Sequence, residues 1–410
     1  MKDSLCKILL VYMSSKFDKS IDDIKIIFRY GKVSQSIGNG KKIYDITFEK
    51  FSDVILLIFY SASLSFGEAY FKGNIKVKGS LSEFVFAVDK NFSNKVRFSF
   101  VSNLNYLKNL LFKKYRRNSL SEAVGNVRVH YEHEPDFYKL FLDSGMQYSC
   151  AYFLKDEMSI DEAQEAKKEL ISQKLLLTES CNILDIGCGW GGLALHMAEK
   201  YGCSVHGITL SEQQLDFAQN NMLEKGLDSK LKYSATDYRD VEEKYDRIVS
   251  IGMFEHVGFK SYDSFFGKVY GCLKEDGVAL IHTIGRVKGP GATDAFLSKY
   301  IFPGGYIPSL SEITPHIEKN NLIITDIEFL HMHYAKTLSK WREKFLMQRA
   351  TVDEKFGENF RRLWEYYLII SESAFRCEFM TIFQIQLAKK TSSVPNSRNY
   401  IYNQSENINL

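Results

Sequence analysis

The stretch that decides the fold is Asn182-Ile-Leu-Asp-Ile-Gly-Cys-Gly-Trp-Gly-Gly192. Its first half is a short apolar run with one acid, Asp185, and is typical of a buried strand. Its second half is rich in glycine, which lets the backbone turn sharply and approach a ligand before Leu193 begins a helix. A strand, a glycine turn and a helix in this order predict a parallel α/β sheet that binds a nucleotide-like cofactor at the turn.

Two residues near this turn distinguish among such cofactors. A dinucleotide-binding fold usually has an acid about 20 residues on, at the end of the next strand, to hold a ribose diol. Here that strand, Ser204-Val-His-Gly-Ile-Thr209, ends in Thr209. Asp185 lies just inside the first strand, where a carboxylate suits the ammonium group of S-adenosylmethionine better than a pyrophosphate. The residues therefore favour S-adenosylmethionine over NAD, with a glycine turn that binds no ligand as a third interpretation.

Composition limits the class of protein. The chain has 410 residues, 45% hydrophobic and 25% charged, which is typical of a globular protein of two or three domains. The net charge of +3 gives no reason to expect nucleic-acid binding. The seven cysteines form no Cys-x-x-Cys pair, and His130 and His133 have no nearby Cys or His to complete a metal site. We therefore expect no metal, no nucleic acid and a cytoplasmic protein.

Residues 1–120 are predicted to form a small α+β domain. Tyr44–Phe48 and Gly73–Gly79 alternate apolar and polar residues as half-buried strands do. Leu104–Leu120 has one apolar helical face and many Lys and Arg, so it is either a solvated linker helix or a helix that docks on anionic lipid. The longest apolar run, 54–66, is shorter than the roughly 18 residues of a spanning helix. Any contact with a membrane is expected to be peripheral.

Residues 121–390 are predicted to form a second domain in which strands and helices alternate, and residues 391–410 a disordered tail. Ser211 and Gln214 predict a capping box at the start of the second crossover helix. The predicted strands are Asn182–Ile186, Ser204–Thr209, Leu231–Ala235, Tyr245–Ile251, Val278–Thr283 and Leu322–Phe329.

Acid/base groups follow two of these strands. Glu255 and His282 come from neighbouring strand ends, so their side chains are expected to meet around one small acceptor at the ligand-binding edge of the sheet. Two alternatives stay open: Glu255 as a surface acid at a turn, and His282 as a core histidine bonded to backbone. His256 is expected to pack or cap.

Several motifs taken together carry a family resemblance. The chain resembles the cyclopropane-fatty-acyl-phospholipid synthases and mycolic acid cyclopropane synthases over roughly residues 125–388. This resemblance implies a doubly wound, seven-stranded, Rossmann-like class I methyltransferase domain preceded by a lipid-associated domain. The motifs are His130-Tyr131, Phe137-Tyr138-Lys-Leu-Phe-Leu-Asp143, Tyr148-Ser-Cys-Ala-Tyr-Phe153, Leu184-Asp-Ile-Gly-Cys-Gly-Trp-Gly191, Gly207-Ile-Thr-Leu-Ser211, Phe254-Glu-His256, Ile301-Phe-Pro-Gly-Gly305 and His333-Tyr-Ala-Lys-Thr-Leu338.

The resemblance also implies the site residues. A bicarbonate ion would act as base, held by the backbone of Cys150 and Ile284 and by the side chains of Glu255, His282 and Tyr334. A neutral Gln214, rather than an acid, would face the ribose of S-adenosylmethionine. The residues implied to bind S-adenosylmethionine are Tyr148, Ser149, Asp185, Gly187, Cys188, Gly189, Thr209, Leu210, Ser211, Gln214, Asp237 and Tyr238.

The implied reaction is transfer of a methylene group to the cis double bond of an unsaturated phospholipid acyl chain, by a homodimer associated peripherally with the inner face of the membrane. The closest rival is a fatty acid C-methyltransferase with a branched or alkenyl product. A non-catalytic lipid- or cofactor-binding protein is disfavoured, because Glu255, His282 and Tyr334 are all present. One departure is Ser371, which stands where relatives often have Cys, so no catalytic thiol is expected there.

Overall fold

The computed structural model of the protein describes residues 2–15, 24–92 and 135–402. The predicted basic helix at Leu104–Leu120 and the pair His130 and His133 lie outside these ranges. The chain divides into two compact units, which differ from the predicted domains because the first unit also includes the later segments 292–301 and 338–379.

Contacts within the first unit explain why the segment 338–379 belongs to it. The hydroxyl of Tyr366 donates to the carbonyl of Ser63 at 3.0 Å, and that of Tyr70 donates to Glu365 at 3.0 Å. Besides strands, the unit contains the helices α1 (Lys2–Ser14), α2 (Phe51–Phe59), α3 (Ala62–Phe71), α4 (Leu81–Phe92), α12 (Arg349–Phe356) and α13 (Glu358–Arg376).

A four-stranded sheet forms the core of this unit. Its strands are β1 (Ile24–Tyr30), β2 (Val33–Ile37), β3 (Lys42–Phe48) and β4 (Ile75–Lys78), in the spatial order β2-β1-β3-β4. β1 and β3 run parallel, and the other pairs are antiparallel. Ile26, Phe28, Ile46 and Phe48 alternate toward the buried face, as period-two strands require. The sequence predicted β3 and β4 but not β1 and β2.

The second unit is an α/β domain. Its helices are α5 (Pro135–Lys139), α6 (Ile160–Lys174), α7 (Gly192–Tyr201), α8 (Glu212–Glu224), α9 (Tyr262–Cys272), α10 (Leu310–Lys319), α11 (His331–Met347), whose residues up to Thr337 belong to this unit, and α14 (Asn399–Tyr402). Its strands are β5 (Asn182–Ile186), β6 (Ser204–Thr209), β7 (Leu231–Ala235), β8 (Tyr245–Ile251), β9 (Leu273–Arg286), β10 (Ile323–Phe329) and β11 (Met380–Ala388).

The seven strands form one doubly wound sheet in the order β10-β11-β9-β8-β5-β6-β7. β11 runs antiparallel to both of its neighbours, and β5 to β9 run parallel. β5 to β8 have the predicted bounds. β9 is longer than the predicted Val278–Thr283. It begins earlier, at Leu273, and continues through Ile284–Arg286, which pair with β11. The strand order reverses beside β5, and ligands bind at such a switch point.

Two expectations about local structure need correction. Residues 391–402 are not disordered, because Ile401 is buried and the hydroxyl of Tyr400 contacts the side chain of Gln386. The capping box is half formed: the Ser211 hydroxyl accepts from the backbone of Gln214, whose own side chain contacts Thr209 instead.

Within the described ranges, no helix is long and apolar enough to cross a membrane. The longest apolar run of the sequence, 54–66, is divided between α2 and α3.

Candidate active site

A cleft opens at the carboxyl ends of β5, β6 and β8 and encloses a cavity of about 160 Å³. Every residue predicted to bind S-adenosylmethionine lines it except Ser211, which caps α8. Sequence reasoning did not identify several further residues of its wall: Met146, Gln147, Trp190, Leu193, Thr236, Arg239, Met253, His256 and Val257.

Glycine is required at two positions of the turn after β5. Gly187 has a φ of +80°, and a Cβ there would lie 2.9 Å from side-chain atoms of Met253. A Cβ on Gly192, the first residue of α7, would lie 2.2 Å from the carbonyl oxygen of Gly145. The backbone N–H groups of Gly187 and Cys188 both donate to the carbonyl of Ile208, which ties the turn to β6. The glycines therefore bring three backbone segments together at one edge of the cleft.

Asp185 is a buried acid at the floor of this cleft. Its side chain is 2% exposed, and its Oδ2 has no hydrogen-bond partner in the described part of the chain. Burial raises the pKa of Asp185 to about 7, and the charge of Lys167 opposes that rise. A ligand with an ammonium group would satisfy Oδ2 and stabilise the carboxylate. The residues present therefore fit the methionine end of S-adenosylmethionine.

Lys167 organises the segment opposite Asp185, and sequence reasoning missed it. Its side chain is fully buried, and its ammonium donates to Oε1 of Gln147 at 2.6 Å and to the hydroxyl of Ser149 at 3.0 Å. Burial lowers the pKa of Lys167 to about 7, while nearby acids such as Asp143 oppose this change. A signal existed in the sequence, since Ala163 lies one helical turn before Lys167 on the buried face of α6.

Thr209 and Gln214 form the next part of the wall. The Thr209 hydroxyl donates to Oε1 of Gln214 at 3.0 Å and accepts from the backbone N–H of Ser211 at 3.2 Å. These bonds fix the orientation of the Gln214 amide, which is 6% exposed. The strand end where a dinucleotide-binding protein has an acid is thus occupied by Thr209, which orients the neutral amide of Gln214 at the cleft.

Asp237 and Tyr238 follow β7. Arg239 binds the Asp237 carboxylate through Nε and Nη2, each at 2.7 Å. Burial acts to raise the pKa of Asp237, but the hydrogen bonds from Arg239 outweigh it and lower this pKa. Asp237 is therefore an ionised acceptor at the rim of the cleft.

A second cluster adjoins the cleft at the ends of β8 and β9. His282 pairs in register with Ile251, the last residue of β8. Glu255 lies in the helical turn that follows β8, and its Oε1 accepts the backbone N–H of Ile284 at 2.6 Å. The fold thus brings the ends of these two strands together, and His256, next to Glu255, lines the cleft.

Glu255 and His282 share an unusual environment. Both side chains are buried, and Oε2 of Glu255 and Nε2 of His282 have no partner in the described part of the protein. Burial raises the pKa of Glu255 to about 7 and lowers that of His282 well below its usual range. The pair is therefore suited to bind a small polar group or to transfer a proton away from bulk water.

Cys150 and Tyr334 lie on two segments that are hydrogen-bonded to each other. The backbone N–H of Ala151 donates to the Thr337 hydroxyl at 3.0 Å, and that of Phe153 donates to Nδ1 of His333 at 3.0 Å. The Cys150 thiol donates to the Ala151 carbonyl, and burial raises its pKa, so it is a neutral packed side chain. The ligand role that the family resemblance implies for the backbone of Cys150 stays a prediction.

Comparison with known proteins gives the family. A sequence model described as mycolic acid cyclopropane synthetase matches residues 118–385. The chain belongs to this family. It is an S-adenosylmethionine-dependent methyltransferase of class I fold.

Relatives of this methyltransferase include lipid-acting enzymes. It is 40% identical over 262 residues to the cyclopropane-fatty-acyl-phospholipid synthase of Escherichia coli strain K12. The match covers 64% of this chain and 67% of that enzyme. It is 38% identical over 271 residues to a probable fatty acid methyltransferase of Pseudomonas putida. This match covers 64% of the present chain and 68% of the relative.

A solved mycolic acid cyclopropane synthase, complexed with SAH and CTAB, is similar with a TM-score of 0.61 and 33% identity. The match covers 64% of this chain and 97% of that one.

Proposed function

We propose that the protein transfers a methylene group from S-adenosylmethionine to the cis double bond of an unsaturated acyl chain of a membrane phospholipid, forming a cyclopropane fatty acid. The observation that carries this proposal is that Glu255 and His282 are buried next to the cleft residues His256 and Ile251. Each has one polar atom without a partner in the described residues. Methyl transfer to a nitrogen or oxygen releases an acidic proton that solvent can accept, whereas ring closure must remove a proton from a carbon, a step that a buried base favours.

The cleft residues would hold and orient the methyl donor. Bound S-adenosylmethionine supplies an electrophilic methyl group to the alkene. Asp185 would bind its ammonium group, and Gln214, oriented by Thr209, would face its ribose. Because a cis alkene is a weak nucleophile, the glycine turn and the Gln147–Ser149 segment must hold the two reactants in line.

The second cluster would hold a bicarbonate ion. An anion buried beside a developing carbocation stabilises the cation and can accept the departing proton. The unpartnered Nε2 of His282 and Oε2 of Glu255 fit an ion that has both an anionic oxygen and an O–H group. Tyr334 and the backbone of Cys150 would complete its ligands. Since the N–H of Ile284 already donates to Glu255, we propose that Ile284 orients this carboxyl group.

The N-terminal helix supports an association with the membrane surface. Helix α1 buries Cys6 and Leu10, yet its other face leaves Ile8 64% exposed. Exposed apolar residues on one helical face favour insertion at a lipid surface. The exposed residues of this face are Leu5, Ile8, Val11 and Tyr12. We propose a cytoplasmic enzyme held peripherally at the inner face of the membrane, and on the family resemblance a homodimer, which light scattering would test.

Isotope labelling tests the reaction. The protein is incubated with vesicles of mono-unsaturated phospholipid and S-adenosylmethionine that carries a fully deuterated methyl group, and the acyl chains are analysed by mass spectrometry. A cyclopropane product loses the alkene and retains two of the three deuterium atoms, because the base removes the third as a deuteron when the ring closes.

Other products separate the rival functions. Retention of all three deuterium atoms would contradict ring closure and identify a fatty acid C-methyltransferase with a branched product. An alkenyl product would keep the alkene signal and also exclude cyclopropanation. A wild-type protein that binds S-adenosylmethionine but labels no lipid would contradict the proposed substrate.

A further inference from the structure

A buried lysine contacts Gln384, the residue that pairs with His282 across the sheet. Lys174 ends α6, and its side chain is fully buried. Its ammonium donates to Oε1 of Gln384 on β11 at 2.7 Å, contacts the carboxylate of Glu328 and lies 3.9 Å from Asp326. Burial lowers the pKa of Lys174, but the two carboxylates on β10 oppose this and favour the protonated amine. Burying an ammonium group is costly unless hydrogen bonds satisfy it, and Gln384 supplies one of these bonds.

The ammonium determines the orientation of the Gln384 amide. A lysine ammonium can only donate hydrogen bonds, so it must face the amide oxygen and not the amide nitrogen. The nitrogen Nε2 of Gln384 then lies 3.1 Å from Nδ1 of His282. The opposite orientation would direct two N–H groups at the ammonium and leave the imidazole facing an acceptor.

The orientation of the amide in turn determines where His282 carries its proton. An amide NH₂ group is a donor, so Nδ1 of His282 must be the acceptor and has no proton. The imidazole is 1% exposed, and its burial lowers its pKa far enough to keep the ring neutral. A neutral imidazole has one N–H, which is therefore at Nε2, the atom with no partner in the described residues.

We propose that Lys174 and Gln384 are positioning residues that hold His282 as its Nε2–H tautomer, so that His282 offers a hydrogen-bond donor to the active site and cannot act as the proton acceptor. The tautomer follows from the contacts alone, whereas its role toward an anionic base rests on the proposed function. An Nε2–H donor suits an oxygen anion. It leaves removal of the proton from carbon to that anion or to Glu255.

Gln386 provides a matched control on the same strand. It lies two residues from Gln384, is 1% exposed, and also contacts Lys174, through the backbone carbonyl. Its amide reaches Tyr400 rather than His282. Substitution at Gln386 therefore changes a buried amide of the same strand without changing the partner of the imidazole.

Nitrogen NMR of the full chain labelled at histidine tests the proposal, with His282→Asn used to assign the signal. In the wild type, Nε2 of His282 should be protonated and Nδ1 should not. Gln384→Glu places an acceptor beside Nδ1, so the proton should appear at Nδ1. Gln386→Glu should leave the wild-type pattern. A wild type protonated at Nδ1, or the same spectrum in both glutamate variants, would overturn the proposal.

Turnover gives a second readout. Gln384→Glu and Lys174→Met should lower methylene transfer about tenfold or more, as loss of a partner that orients a ligand typically does, with the Kd for S-adenosylmethionine unchanged. Wild-type turnover in Gln384→Glu, with the proton moved to Nδ1, would show that the tautomer does not matter and overturn the positioning role. The predicted tautomer in a wild type that transfers no methylene would support the tautomer and contradict only the proposed function.

Discussion

The backbone N–H of Ile284 donates to Oε1 of Glu255 at 2.6 Å and so joins the carboxyl ends of two neighbouring strands. The bond uses one carboxyl oxygen and leaves the other, Oε2, for a ligand. The donor is a backbone group of β9, the strand that also carries His282 two residues before Ile284. The bond therefore fixes the Glu255 side chain relative to this strand.

Glu255→Gln should change how stability depends on pH. Burial raises the pKa of Glu255 from 4.5 to about 7, so the folded protein binds this proton more tightly than the unfolded chain. Its contribution to the free energy of unfolding is present below pH 4.5 and is lost as the pH rises through about 7. Glutamine does not titrate, so the variant should gain about 3 kcal/mol relative to wild type between pH 4.5 and 8.

Urea titrations at both pH values measure this difference. Asp185 titrates in the same range in both proteins, so only the difference between them is informative. Glu224→Gln, at an exposed position at the end of α8, should follow the wild type. Parallel curves for wild type and Glu255→Gln would show that Glu255 is ionised throughout. Turnover of Glu255→Gln should fall by about 100-fold or more.

Asp185→Asn should weaken the binding of S-adenosylmethionine. The carboxylate is the acceptor that we assign to the ammonium group, and a hydrogen bond between charged groups contributes about 2 kcal/mol, or roughly 30-fold in Kd. Isothermal titration calorimetry measures this directly. Asp246→Asn, at the opposite end of the sheet where Asp246 pairs with Lys274, is the control and should leave Kd unchanged. Equal affinities in the wild type and Asp185→Asn would remove this assignment.

Gly192→Ala should destabilise the protein by forcing the first turn of α7 away from the backbone of Gly145. The added Cβ would lie 2.2 Å from a backbone oxygen that cannot rotate away, so we expect a loss of about 1–3 kcal/mol in the free energy of unfolding and weaker S-adenosylmethionine binding. Gly271→Ala, in α9 with no atom within 4 Å of the new Cβ, should instead stabilise the protein by about 0.5–1 kcal/mol. Two variants with the same stability would show that the contact at Gly192 relaxes freely.

Lys167→Met should raise KM for S-adenosylmethionine about tenfold with a smaller effect on kcat, because Gln147 and Ser149 lose the donor that orients them. Steady-state kinetics with varied S-adenosylmethionine give both constants. The adjacent Lys168 pairs with Glu165, and no described hydrogen bond joins it to Gln147 or Ser149, so Lys168→Met should keep the wild-type KM. A fall in kcat alone would place Lys167 in the chemical step instead.

The parts of the fold that the sequence predicted depend on local patterns. β5 to β8 are short apolar runs bounded by glycine or polar residues, and their bounds agree with the structure. The cleft was predictable because the glycine turn, Thr209 and Asp237 all follow strand ends, and parallel strand ends share one edge.

The parts that were missed depend on contacts between distant residues. Nothing local indicates that residues 338–379 pack with the first unit, since Tyr366 finds its acceptor at Ser63. β11 was not predicted, because Gln384 and Gln386 are polar in sequence yet nearly inaccessible in the fold. Lys167 and Lys174 were missed for the same reason: a lysine in a polar helix gives no local sign that its ammonium is buried.

The position of β11 sets an order on assembly during synthesis. The strands that form the S-adenosylmethionine cleft are complete by residue 251, but the partner of the His282 imidazole is on residue 384, and β11 must insert between β9 and β10. The cleft residues for the methyl donor, the last of which is Val257, therefore leave the ribosome well before the residue that fixes the proton of the imidazole.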